Sequence, residues 1–157
     1  MKPLDKIDRN ILETLQDDGR ISNVELARLV NLSPTPCLER VRRLEKSGYI
    51  KGYRAELCAD KMKAGFVTFI TVSLDRTTED VFENFAEQIA HLDEIVECHM
   101  VGGGFDYILK IRTETMAAFR GLIFEKLSNL PHISQTHSYF VMEEVKCEKS
   151  LKIPDTA

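Results

Sequence analysis

Apolar side chains recur at helical spacing in three short blocks of the first fifty residues, which predicts three short helices. The first block follows Asp5, a residue that can cap a helix, and it ends at Gly19, which suits a left-handed C-terminal cap. The second block takes Ser22 or Asn23 as its cap. Glu25 stands three residues after Ser22, as in a capping box.

The third block follows the proline-containing run 33–36, where proline is tolerated because the first N–H groups of a helix have no partner within it. The predicted helix has an apolar face and an opposite face that is polar and mostly basic. The apolar face consists of Cys37, Leu38, Val41 and Leu44. The polar face consists of Thr35, Glu39, Arg42, Arg43 and Lys46, with Arg40 on its flank. Residues 49–57 predict a short hairpin or wing that turns near Gly52, which completes a winged helix-turn-helix.

After a short linker at 61–65, β-branched runs alternate with helical patterns in the order β-α-β-β-α-β. Strands are predicted at 66–74, 95–101, 107–113 and 134–145, and helices at 79–90 and 115–127. This order is the split βαβ, or ferredoxin-like, arrangement. The chain is therefore predicted to be an α+β protein, with a winged helix-turn-helix and its wing at 1–60 and a βαββαβ domain at 66–157, to which the features below give a regulatory and oligomerisation role.

A four-stranded sheet with both helices on one face leaves its other face open. We expect Phe66, Ile70 and Val72, against Tyr139 and Val141, to lie on that open face and to need a cover. A second subunit stacking its own sheet there predicts at least a homodimer. Two-fold symmetry would then predict a palindromic site on double-stranded DNA.

The distribution of charge favours DNA as the partner, although the net charge is −4. Residues 34–54 carry six basic side chains against two acidic ones, and they coincide with the predicted third helix and wing. Arginine there can donate two hydrogen bonds to guanine, while Ser33 and Thr35 at the start of the helix can approach a phosphate. The alternative is a solvated, charged helix face on a protein-interaction domain, which the three-helix spacing disfavours.

Composition and motifs argue against an enzyme, a membrane protein or a disulfide scaffold. The four cysteines are far apart and form no C-x-x-C pair, which predicts reduced thiols and no structural metal. No apolar run approaches the roughly 18 residues of a membrane span, and the N-terminus has no signal-peptide pattern, so we expect a cytoplasmic protein. The four histidines cannot be grouped with a nucleophile and a base, and no cofactor motif is present.

The run Gly102-Gly103-Gly104-Phe105-Asp106-Tyr107, between the second and third predicted strands, is a candidate ligand site. Glycines let backbone N–H groups approach a carboxylate, and Asp106 can accept from an ammonium group. On spacing alone a purely structural role is favoured: the glycines make a tight hairpin for steric reasons, and Asp106 caps it.

The chain resembles the Lrp/AsnC, or feast/famine, family of transcription regulators over essentially its whole length, and most closely the leucine-responsive branch. The segments that carry the resemblance are 4–12, 18–22, 32–45, 104–107 and 141–146. The resemblance implies dimers that assemble into octamers and an amino-acid effector bound between dimers at the glycine-containing turn. The sequence departs from the leucine-responsive pattern at Gly104, where relatives often carry a polar residue, so the effector preference is expected to differ.

The sequence thus predicts a nucleoid-associated regulator of transcription, modulated by a small effector that is expected to be an amino acid. The alternative is an effector-independent regulator or DNA-organising protein of the same fold. The predicted DNA-binding residues are Ser33, Thr35, Pro36, Glu39, Arg40, Arg42, Arg43 and Lys46. The predicted effector-binding residues are Gly102, Gly103, Gly104, Phe105, Asp106 and Tyr107, with Thr136 and Ser138 on the last strand.

Overall fold

The structure, a computed structural model, describes residues 3–148 and 150–154. Its contacts divide the chain into two compact units: the first unit contains residues up to Glu56 together with those from Lys146 onward, and the second unit runs from Leu57 to Val145. The sequence assigned all of 66–157 to the second domain. The C-terminal segment departs from that assignment because Ile153 packs against the core of the first unit.

The first unit contains the three predicted helices. They are α1 (Lys6–Asp17), α2 (Asn23–Leu29) and α3 (Pro34–Lys46). Asp5 caps α1 and Ser22 caps α2, as the sequence predicts. The reciprocal capping box forms at α1, between Asp5 and Asp8, whereas at α2 Ser22 accepts from the Glu25 N–H. Apolar side chains of all three helices close the core, with Ile11, Leu26, Ala27, Cys37 and Leu44 fully buried or nearly so.

Two predictions about the turns of this unit are wrong. Gly19 does not adopt a left-handed conformation: α1 ends at Asp17, and its C-cap residue Asp18 is extended, with its N–H donating to the Thr14 carbonyl. Residues 49–57 form no strand. The reason is that the N–H groups of Tyr49 and Ile50 both donate to the Leu44 carbonyl, which folds this segment back onto the end of α3.

The second unit has the predicted βαββαβ order. Its elements are β1 (Phe66–Leu74), α4 (Glu79–Ala90), β2 (Ile95–Met100), β3 (Tyr107–Thr113), α5 (Met116–Glu125), a 3₁₀ turn (Leu127–Asn129) and β4 (Ile133–Phe140). The antiparallel sheet has the order β2-β3-β1-β4. The last strand ends at Phe140 rather than at 145 because Phe140 pairs with Thr68, and β1 begins only two residues earlier.

The predicted assignment of the two faces of β1 is wrong. Ile70 and Val72 are fully buried beneath the helices, in one core cluster with Leu109 and Tyr107, their register partners on β3. The open face instead carries alternate positions that include Phe69. Because β1 is buried on both faces along most of its length, its alternation could not distinguish them. In the described part of the chain, no helix is long and apolar enough to cross a bilayer.

Leu109→Ala tests this core. Leu109 is fully buried in the central part of the sheet, so its truncation should lower the free energy of unfolding by about 2–5 kcal/mol. Urea unfolding followed by circular dichroism measures the effect. Met142→Ala is the control, because Met142 is fully exposed. Equal unfolding midpoints for the two variants would contradict the core described above.

Candidate functional site

Helix α3 presents four exposed polar side chains along one side: Thr35, Glu39, Arg42 and Lys46. They are spaced three or four residues apart, so they form one stripe, which we call the reading face. Leu38, with 37% of its surface exposed, lies at its edge. This stripe combines hydrogen-bonding and cationic groups on a helix whose opposite side is anchored in the core by Cys37 and Leu44.

At the beginning of α3, the Ser33 hydroxyl is left available. Ser33 is the N-cap residue, but its hydroxyl makes no capping hydrogen bond to the helix. Pro34 occupies the first turn, and Pro36 is half-buried beside it. The Ser33 hydroxyl and the positive end of the helix can therefore meet an anion such as a phosphate.

Asp8 connects α1 with α3 through two arginines. Its carboxylate is only 1% exposed, and its Oδ1 atom accepts from Arg40 Nη1 at 2.8 Å and from Arg43 Nη2. Arg40 Nη1 also donates to Asp5 Oδ2 at 2.6 Å. The capping box holds the two carboxylates in place, because the Asp8 N–H donates to Asp5 Oδ1 at 2.8 Å. Arg40 and Arg43 thus fix how α3 lies against α1.

This cluster satisfies the electrostatic requirements of a buried charge. An unpaired carboxylate at the depth of Asp8 would be strongly destabilising, whereas two guanidinium partners and a backbone N–H compensate for its desolvation. At Asp5, burial alone would raise the pKa, but the hydrogen bonds from Arg40 and from the Asp8 N–H outweigh it and hold the pKa below its usual value. The Asp5 carboxylate is therefore negative at neutral pH.

The segment after α3 is fixed by Tyr53. Its hydroxyl donates to Glu45 at 3.1 Å, and burial, followed by the neighbouring Glu45, raises the pKa of Tyr53 to about 12. The phenol therefore stays a neutral donor. Lys51 and Arg54 on either side of it are exposed, so two further cations extend the basic surface beyond the helix.

The glycine turn, residues 102–107, lies between β2 and β3. None of Gly102, Gly103 and Gly104 has a left-handed φ, and a Cβ atom placed on any of them would meet nothing within 4 Å. The conformation of the single chain therefore does not require glycine here, which argues against the interpretation that the glycines serve a tight hairpin for steric reasons. The absence of side chains leaves open space and exposed backbone at this turn.

Asp106 and Tyr107 anchor this turn to the sheet. The Asp106 N–H donates to the Val72 carbonyl, and Asp106 Oδ2 accepts from the Leu74 N–H at 2.7 Å, so the side chain extends the ladder beyond the last paired residues. Tyr107 is 4% exposed, and its ring packs against Phe85 with 4.5 Å between centroids. The Tyr107 ring is therefore a core group, and only the second oxygen of Asp106 remains for another donor.

The other predicted effector residues lie on two different elements. Phe105 is half-buried within the glycine turn. Thr136 and Ser138 are exposed on β4, where they pair with Val72 and Ile70. Thr136 is thus two strands away from the first residue of β3, at the same end of the sheet as the turn.

Three structural features were not predicted from the sequence. The first is the role of Asp8, although its spacing from Asp5 is that of a capping box. The second is the docking of residues 151–153 in the first unit. The third is Arg112, which contacts Ala64 and Glu144, far apart in the sequence. Only the first has a local sequence signal, because the other two are contacts between distant positions.

Two family models match the chain. Residues 4–51 match a winged helix-turn-helix DNA-binding model, and residues 67–151 match the Lrp/AsnC ligand binding domain. The leucine-responsive regulatory proteins of Klebsiella pneumoniae and of Escherichia coli strain K12 are each 54% identical over 152 residues, which is 97% of this chain and 93% of the relative.

A solved structure agrees over nearly the whole fold. A transcriptional regulator of Neisseria meningitidis, solved as its complex with L-methionine, superposes with a TM-score of 0.90 at 37% identity. The match covers 95% of this chain and 96% of that one.

A helix-turn-helix with an exposed polar and basic helix, joined to a ferredoxin-like ligand-binding unit, defines a DNA-binding regulator of transcription rather than an enzyme. The chain belongs to the Lrp/AsnC family.

Asp8→Asn tests the anchoring of α3. The amide cannot compensate the two guanidinium charges, so the first unit should lose about 1.5–3 kcal/mol of stability, the range for hydrogen bonds to charged groups. Amide hydrogen exchange of α1 and α3 peptides measures the loss. Glu13→Gln, an exposed charge on the same helix, is the control. Unchanged protection of α3 in Asp8→Asn would show that the cluster does not hold the helix.

Proposed function

We propose that the protein reads DNA with the reading face of α3, and that Arg42 and Lys46 carry its direct cationic contacts. The observation behind this proposal is the division of the basic side chains of α3. Arg42 and Lys46 are exposed, whereas Arg40 and Arg43 are half-buried against Asp8. A side chain already committed to a buried carboxylate must break that pair before it can enter a groove.

In this proposal the remaining candidate residues of α3 and its N-cap have different roles in DNA binding. Ser33 and Pro36 at the start of α3 approach the phosphate backbone, and Thr35 and Glu39 face the bases from the reading face. Arg43 keeps Nη2 on Asp8 and offers its other donors to a phosphate, since 35% of its side chain is exposed. Arg40 acts by positioning the helix.

We further propose that an amino acid is the effector and that it binds at the glycine turn. The relatives support this class of ligand: one was solved with L-methionine, and others are named leucine-responsive. The turn offers free backbone groups for a carboxylate and the second oxygen of Asp106 for an ammonium group. Phe105, Thr136 and Ser138 are the side chains proposed beside it, while Tyr107 contributes through its backbone.

The proposed working form is a homodimer that assembles into octamers on palindromic sites of double-stranded DNA, in the cytoplasm and in association with the nucleoid. An effector that binds at the turn would shift the balance between assemblies, or between arrangements within one assembly. The size of the response is limited by the difference in effector affinity between the two states.

Arg42→Ala tests the reading face. Binding to a fragment of the protein's own promoter should weaken by about 1–3 kcal/mol if Arg42 contacts a base, with relaxed specificity. If it contacts a phosphate, the salt dependence should instead fall by about one unit of slope. Fluorescence anisotropy at several salt concentrations separates the two cases. Arg120→Ala, an exposed arginine on α5, is the charge-matched control. Wild-type binding by Arg42→Ala would refute this assignment.

Gly103→Val tests the effector site. A side chain at Gly103 meets nothing within the chain, so the fold should keep its melting temperature. The same side chain should fill the space proposed for the ligand and abolish the thermal shift given by L-leucine or L-methionine. Gly121→Val, an open position on α5, is the matched control.

Retention of the ligand-induced shift by Gly103→Val would exclude the turn as the site. Absence of any shift in the wild type, for all twenty amino acids, would favour the effector-independent regulator instead.

A further inference from the structure

Two chain segments cross between the second unit and the first. Residues 57–65 lead into β1, and we call them the first connector. Residues 141–148, the described part of the second connector, leave the end of β4. The two connectors meet adjacent strands at the same end of the sheet, because the start of β1 is paired with the end of β4. The Val141 N–H also donates to the Val67 carbonyl at 3.1 Å.

One side chain holds both connectors. Arg112, on the open face of β3, donates from Nη1 to the Ala64 carbonyl of the first connector at 3.3 Å. From Nη2 it donates to both carboxylate oxygens of Glu144 on the second connector, at 3.0 and 3.1 Å. Lys110 lies 3.8 Å from the same carboxylate. Only 19% of the Arg112 side chain is exposed, so these contacts are partly shielded from water.

The C-terminal segment, residues 150–154, is docked at its other end on α1. The Leu151 N–H donates to Gln16 Oε1 at 2.7 Å, and Gln16 Nε2 donates to the Leu151 carbonyl at 3.0 Å. Ile153 packs against the core of the first unit, and residues 151–154 line a cavity of about 470 Å³ together with α1 and residues 49–54. This reciprocal amide pair fixes the register of the segment, and Ile153 anchors it.

The opposite end of the β1–β4 pair is linked to the glycine turn. Asp106 is hydrogen bonded to Val72 and Leu74 of β1, and Val72 is paired with Thr136 of β4. The two strands therefore run from the proposed effector site to the two connectors. A displacement of the turn would reach both connectors through the same pair of strands.

We propose that Arg112 is a positioning residue for regulation, which holds both connectors so that the docked C-terminal segment acts as a second tether between the effector site and the DNA-binding unit. This inference rests on the proposed function, since it needs an effector at the glycine turn. With a single connector, the first unit would be linked to the second at one point only. With two connectors held at Arg112, a shift in the sheet changes the constraint on α1 and, through Asp8, on α3.

The experiment lengthens the second connector while the C-terminal segment stays docked on α1. Four residues, Gly-Ser-Gly-Ser, are inserted after Glu148, so that Leu151 and Ile153 still reach their sites on α1. The matched control carries the same four residues after Ala157. For each full-length protein, affinity for its promoter fragment is measured with and without L-leucine and L-methionine, together with the binding of each amino acid itself.

We expect the insertion to leave the affinity for the effector, and the affinity for DNA without effector, within about twofold of the control. The effector-induced change in DNA affinity should fall at least fivefold or disappear. Arg112→Gln should show the same loss of response with unchanged effector affinity, and Arg112→Lys should restore part of it. A merely structural role for Arg112 would move the melting temperature and effector-free DNA affinity instead.

The possible failures are distinguishable. An insertion variant that responds as fully as the control overturns the tether while leaving the proposed function intact. A wild-type protein that binds its promoter but shows no response to any amino acid overturns the effector site, and this inference with it.

Discussion

The carboxylate of Asp8 lies almost completely buried between α1 and α3, and its two guanidinium partners come from α3, the helix that we propose faces DNA. A buried charge requires full compensation, so neither arginine can leave without a large penalty. This requirement constrains the DNA-binding unit in two ways. It fixes the orientation of α3 on α1, and it divides the basic residues of α3 into those that hold the helix and those that remain available. The proposed reading face is what this division leaves exposed.

The second unit has a related constraint at Asp106. There a carboxylate takes the place of a backbone acceptor just before β3 begins, where the turn of glycines joins the ladder. Because the turn is attached to β1, and β1 is paired with β4, a ligand at the turn would act on the two strands that continue into the connectors. Both connectors join the DNA-binding unit, which holds the C-terminal segment that follows the second connector through Gln16 and Ile153.

The sequence was sufficient to predict the features that depend on local pattern, namely element bounds and helix caps. The bounds of β1, α4 and β3 agree with the structure, and so do the caps at Asp5 and Ser22. The failures occurred where distant contacts decide. The strand β4 is shorter than the predicted 134–145 because β1, its partner, begins only two residues before Thr68, which pairs with Phe140. The segment after α3 is not a hairpin because the Leu44 carbonyl captures its N–H groups.

The candidate site divides in the same way. Helical periodicity placed Thr35, Glu39, Arg42 and Lys46 on one face, but it could not show that Arg43 is paired with a residue 35 positions earlier. Likewise, the glycine turn was visible as a motif. Only the three-dimensional surroundings show that a Cβ atom there would meet open space, which argues against the steric explanation.

The most direct test is an experimental structure of the wild-type protein bound to a DNA fragment from its own promoter. The account predicts that Arg42 and Lys46 contact the DNA while Arg40 remains on Asp5 and Asp8, with α3 unmoved relative to α1. A complex in which Arg40 and Arg43 have both left Asp8 to enter the groove, with Arg42 in solvent, would contradict it.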